Sequence, residues 1–184
     1  MLTSDQKLAL KTAIEADNAF VNVPHTSDGA SAIADAFNLP ASPAFYVWET
    51  RTSADKVMDA ISWASLTPAD APDGTQTWLN RAIMCQSKQL NLQILLQGRD
   101  QISAAKTNVR AGLSDALLNV PSGVGGSLVD AGWIGAGKVK AAITRVTTRS
   151  EKIFSTGTGT AATPATLTYE GNLVYQDVLD AMGW

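Results

Sequence analysis

Between Thr75 and Gln97 the chain runs for twenty-three residues without a glycine or a proline, the longest uninterrupted stretch of helical pattern it contains. Leu79, Ile83, Leu90 and Ile94 fall on one stripe of that helix, with Trp78, Cys85, Leu92 and Leu96 beside it. A stripe so wide predicts a buried central helix around which the rest of the fold is arranged. Gly98 is placed as its C-terminal stop, and a second helix follows with Ile102, Ala105, Val109, Leu113 and Leu117 in phase, halting before Pro121. The short joint predicts an antiparallel hairpin or one long kinked rod.

On the N-terminal side, Thr3-Ser-Asp-Gln6 has the spacing of a capping box and opens a helix with Leu10 and Ile14 on one face. Ser27-Asp28 caps a second, in which Ala30, Ile33, Ala34 and Phe37 share a face until Pro40 and Pro43 end it. Residues 44–50, aromatic and branched, form the best strand candidate in this half. Thr52-Ser-Ala-Asp55 opens another short helix, lined by Val57, Met58 and Ile61, and residues 67–74 read as a turn-rich loop. Beyond Pro121, residues 122–137 hold six of the fourteen glycines, with Trp133 and Ile134 embedded as expected anchors to a surface. A basic helix is predicted from Lys138 to Ile153, followed by a Thr/Gly tract from Ser155 to Gly171, a short strand within 163–170, and a closing helix over 176–182.

The fold class expected is therefore mainly α, a helical bundle with a small β element and an extended C-terminal arm. The domain division expected is a helical core over 1–154 and an arm over 155–184. A Thr/Gly tract so poor in charge and in large apolar residues builds no core of its own, so the arm is expected to borrow a neighbour's surface. Its anchors are expected to be Leu167, Tyr169, Val178, Leu179, Met182 and Trp184.

A chain of 184 residues, 45 % hydrophobic and 17 % charged, is about one domain long. It has no run of eighteen apolar residues and no signal-peptide pattern at its start, so the expected setting is the cytoplasm of the cell that makes it. The net charge of −3 conceals a polarity: residues 1–75 carry −6, residues 76–156 carry +6, and the remainder −3. Such a split suits copies meeting acid to base, and it equally describes independently solvated helix faces.

Catalytic and metal signatures are scarce. His25 is the single histidine, placed in a loop, which restricts a Ser/His/Asp triad to that residue and rules out a histidine-rich metal site. Cys85 is the single cysteine, inside an apolar helical pattern, and reads as a buried inert thiol. The glycines around 123 and 157 lack the Gly-Lys-Ser/Thr ending of a phosphate loop, and Asp70 and Asp73 lack the rest of a calcium loop. No enzyme activity and no cofactor is expected. The basic residues Lys138, Lys140, Arg145, Arg149 and Lys152 carry the most weight, with three readings open: nucleic-acid phosphates, an acidic partner surface, or solvation.

Two sets of strings resemble a known group. Residues 2–17, 27–38 and 42–48 form the first, and Thr148-Arg-Ser-Glu-Lys-Ile-Phe-Ser-Thr-Gly-Thr-Gly159, residues 164–171 and Tyr175-Gln-Asp-Val178 the second. Together, with the residues between them, they span somewhat under half the chain, and they resemble a family of small tailed-bacteriophage virion proteins encoded among head and connector genes. The resemblance implies a head-to-tail connector or adaptor subunit in the neck of the virion, assembled in the host cytoplasm. It implies a homo-oligomeric, twelve-fold ring docked on the portal protein, in contact with tail or head-closure proteins and open to non-specific contact with packaged DNA, with no membrane partner. It implies an arm reaching a neighbour, here Ser155 to Trp184, and a basic segment facing DNA or an acidic portal surface. It transfers no catalytic residue. A tail-completion or capsid-surface subunit, or a small nucleic-acid-binding protein, are the alternatives.

Overall fold

Hydroxyl side chains mark where the first four helices begin. Thr3 and Gln6 form a reciprocal capping box at the start of α1 (Ser4–Glu15), at 3.3 and 2.9 Å. Thr26 caps α2 (Ser27–Asn38), Ser53 caps α3 (Ala54–Ala60) and Thr75 caps α4 (Gln76–Leu96). Strands β1 (Tyr46–Trp48), β2 (Thr52–Ser53) and β3 (Gln101–Ile102) are short, and α5 (Thr107–Leu117) follows. Then come α6 (Val139–Ala142), β4 (Thr144–Val146), α7 (Arg149–Ile153), β5 (Ser155–Thr156), β6 (Thr166–Leu167) and α8 (Tyr175–Met182). This computed structural model describes all 184 residues and is mainly α with a small β element, as the periodicity predicts.

The division of the chain differs from the expected core and arm. One unit joins residues 1–47 to residues 146–184, and the other is the continuous stretch 48–145. Each has its own hydrophobic core.

In the first unit, Leu10 and Ile14 of α1 and Ala30, Ile33 and Phe37 of α2 pack with Phe154, Leu173 and Val178. The C-terminal segment is thus part of a core and not an extended arm. The reason is that α8 is itself amphipathic: Val178 is fully buried where α8 packs on α1 and α2. Polar contacts hold the same closure, with Lys7 paired to Asp180 at 2.8 Å and Asn38 exchanging hydrogen bonds with the backbone of Leu173 at 2.9 and 2.8 Å. At the end of α8, Gly183 takes a left-handed conformation (φ 73°) that turns the chain back, and its N–H donates to Leu179 O.

The Thr/Gly tract is ordered by the same unit. Ser155 pairs with Leu167 and Thr156 with Thr166 in an antiparallel ladder. The hydroxyls of Thr158 and Thr160 each hydrogen-bond that of Thr163, tying the exposed turn between the two strands together locally. Gly159, at φ 66°, lies under the Phe45 ring so closely that a Cβ there would stand 2.1 Å from it. At Gly159 a small residue is required by packing, while most of the tract around it is exposed. β1, the strand expected over 44–50, finds its neighbours here: Tyr46 N–H donates to Gly159 O, Ala165 N–H donates to Tyr46 O, and Val47 bridges Ala165.

In the second unit, α4 and α5 pack as an antiparallel hairpin: Lys88 Nζ reaches the carbonyls of Asp115 and Leu118, while Leu95 near the other end touches Gly112. Ile102, expected within the second helix of that hairpin, instead pairs with Thr52 across β2 and β3, and the helix starts at Thr107. Cys85, Leu92 and Leu96 of α4 join Val57 of α3, Leu66, Leu113, Leu117 and Ile143 in the core. Trp133 anchors the glycine-rich loop as expected, but Ile134 beside it is exposed.

Candidate functional site

The sequence pattern on α4 is real, yet the face it predicts as buried is in large part the exposed one. At 100° per residue, Leu79, Ile83, Leu90 and Ile94 lie within a sector of about 60°. They are 45, 61, 54 and 63 % exposed, and Met84 nearby is 52 % exposed. The buried residues Cys85, Leu92 and Leu96 occupy the far side. The helix has two apolar faces, and α5 with the rest of the second core covers only one. Four large aliphatics aligned over about 22 Å differ from the scattered exposed leucines of an ordinary surface, and aligned apolar exposure marks contact with another molecule.

The charge around this stripe is as informative as its apolar content. Arg81 and Lys88 are the only ionised side chains on α4, and both project to the buried half. Arg81 makes a two-pronged pair with Asp70 (3.0 and 2.8 Å), whose carboxyl this guanidinium holds below the usual carboxylate range. The stripe's flanks are Gln76, Asn80, Gln86, Ser87, Gln93 and Gln97, neutral groups that both donate and accept.

Along one edge of α4 runs a groove of about 800 Å³, lined by Ala54, Met58, Trp63, Gln89, Leu92 and Leu96, with Asp55, Arg99 and Asp100 also in its lining. Trp63, half exposed, is held by its indole N–H to Met58 O at 3.0 Å, and Gln89 donates to Leu66 O at 2.8 Å. Sequence reading passed over Trp63, which sits in an irregular turn with no periodicity to bring it forward. The signal for the exposed stripe was present: a helix apolar on two sides with every charge on one of them.

The five basic residues do not form one helical face. β-branched Ile143, Thr144, Val146, Thr147 and Thr148 favour extended backbone, so the stretch breaks into α6, β4 and α7, with Thr148 and Glu151 capping the last. Lys138, Lys140 and Arg145 belong to the second unit, Arg149 and Lys152 to the first. Lys138 donates to the Ser62 hydroxyl at 2.9 Å, and Lys140 borders a small hollow with Trp48, Arg110 and Trp133. Arg149 pairs with Asp17 at 2.6 Å and lies over the Phe37 ring at 4.9 Å; Lys152 lies over Phe45 at 5.6 Å. The Ala19 N–H and then this arginine hold the Asp17 carboxyl below its ordinary value. Arg149 and Lys152 therefore brace their own unit.

The expected arm anchors are likewise turned inward. Val178 is fully buried, Leu179 and Met182 pack beside it, and Tyr169 meets Phe154 edge to face at 5.2 Å while its hydroxyl donates to Asn172 O. Leu167 is half-buried in the β5–β6 ladder, and the Trp184 ring stacks on His25 at 4.2 Å. Cys85 is buried, and burial pushes its thiol up, away from the reactive thiolate. No three His, Cys, Asp or Glu side chains come together as a metal-holding group, and no helix is long and apolar enough to cross a membrane.

No protein-family model matches this chain, and neither does any curated protein or solved structure.

Proposed function

We propose that this chain is a structural virion subunit of the tailed-bacteriophage head-to-tail adaptor type, one that works by binding geometry and joins portal to tail as part of a ring. The observation that carries the assembly reading is the aligned, uncharged apolar face of α4, which a purely self-contained fold has no use for. The phage placement rests on the resemblance of residues 2–48 and 148–178 to small virion proteins of the head and connector region. The docking surface belongs to the second unit, since the segment once expected to reach a neighbour is spent on its own core. The nucleic-acid alternative loses its main support with the division of the basic stretch into three short elements.

Electron microscopy of the purified protein with and without a candidate portal tests this reading. Rings alone, or portals decorated at their tail-facing end, are the expected images. Undecorated portals and unassembled protein at saturating concentration overturn it.

A further inference from the structure

The exposed face of α4 is symmetric along its own length. Leu79 and Ile94 stand equally far from the midpoint between Gln86 and Ser87; so do Ile83 and Leu90, and so do the flanking Asn80 and Gln93. We propose that α4 pairs antiparallel with α4 of a second copy of this chain about a two-fold axis at that midpoint. Leu79 then meets Ile94 of the partner subunit, and Ile83 meets Leu90 of the partner subunit, each contact occurring twice. A two-fold interface requires one patch to complement itself, and reversal of this helix lays aliphatic on aliphatic.

Charge selects the same occupant. The sector from Leu79 to Ile94 carries no ionised group, because Arg81 and Lys88 lie on the other side of the helix. A second copy meets no like-charge repulsion here, and a strongly charged partner finds nothing to pair with.

Area sets the strength. With twenty-one residues, α4 is about 32 Å long, and a strip about 10 Å wide along it covers roughly 300 Å² per copy, against about 800 Å² per partner in a standard stable interface. The dimer is accordingly weak in isolation, a contact whose strength comes from being repeated within an assembly. Such pairing closes at two copies, so a ring needs a separate head-to-tail contact. The proposal stands independently of the portal reading.

Sedimentation velocity of the full chain across about 5 to 500 μM, the range where weak contacts titrate, provides the test. The wild-type protein is expected to pass from monomer to dimer. Ile83→Lys and Leu90→Glu, each at a site more than half exposed, are expected to keep the native circular dichroism and to weaken association at least about tenfold. Mixed in equal amounts, the two variants are expected to dimerise again: the introduced lysine faces the introduced glutamate on one side of the axis, and native Leu90 faces native Ile83 on the other. A wild-type protein still monomeric at the highest concentration, a dimer indifferent to Ile83→Lys, or a mixture that fails to recover overturns the proposal. A monomer that nevertheless decorates portals overturns the pairing and leaves the adaptor reading standing; a dimer that ignores portals does the reverse.

Discussion

The two units treat their apolar helix faces in opposite ways. In the first, α1, α2 and α8 turn Leu10, Ile14, Ile33 and Val178 toward one another, and the large apolar side chains left outside, among them Leu8, Val21 and Leu39, are scattered. In the second, α4 gives one face to the core and leaves another, Leu79 to Ile94, aligned in solvent. Similar helices are thus used differently: the first unit spends its amphipathicity on closure, the second leaves part of it in solvent. The terminal segment, for all its unusual composition, is a closing element, and the helix that looked like the centre of the core is half surface.

Removing residues 173–184 is the harshest way to break this contrast. Leu10, Ile14, Ile33 and Phe37 lose their cover, and hydrogen exchange is expected to show α1 and α2 losing protection by orders of magnitude; protection unchanged in both helices would return α8 to the status of a detachable arm. The second test compares one residue type on the two faces of α4. Leu92→Ala is expected to cost about 2–5 kcal/mol by denaturant unfolding, whereas Leu90→Ala changes stability by no more than about 0.5 kcal/mol. Equal costs would mean that both faces are core.

Gly159→Ala comes next. It places a Cβ against the Phe45 ring at a backbone φ of 66°, and a loss of about 1–3 kcal/mol is expected; a neutral result would mean that the Thr/Gly tract is looser than the packing around it. The smallest effect is the response to acid. Asp17, Asp70 and Asp180 all have carboxyls depressed below the ordinary value, by the Ala19 N–H and Arg149, by Arg81, and by Lys7. A depressed folded-state pKa gives stability that is present above the unfolded value near 4 and is lost as pH falls through the folded one. Stability is thus expected to be flat above about pH 5 and to decline below about pH 4, with Asp17→Asn flattening that decline in part. Solvent and salt screen pairs of this kind, so the decline is expected to be shallow.

Local chemistry was legible in the sequence; partnership was not. The Thr3/Gln6 box, the capping signal within residues 52–55 and the long helix between Thr75 and Gln97 follow from short-range spacing, and the structure has them; the cap expected at Ser27-Asp28 is Thr26 instead, whose side chain accepts from the Gly29 N–H. Periodicity shows that a face is apolar without showing what lies against it, so Leu79 and Leu92 look alike until α5 is placed. The closure of α8 on α2, more than 130 residues apart, leaves no periodic trace, and the contacts that fasten it, such as Asn38 with Leu173, are single residues. The basic stretch misled for the opposite reason. Charges at helical spacing suggested one face, while the β-branched residues between them broke the helix.

The placement of α8 also orders events in time. The second unit is one continuous run, while the first needs residues from both sides of it. At roughly 5–20 residues per second, α1 and α2 leave the ribosome roughly 7 to 30 s before α8 does. During that interval Leu10, Ile14 and Ile33 have no permanent cover, and the second unit is already complete enough to fold. A chain broken off between Arg145 and Tyr175 would carry a finished second unit on an unfinished first one, so the last helix to be made is the one that closes the fold.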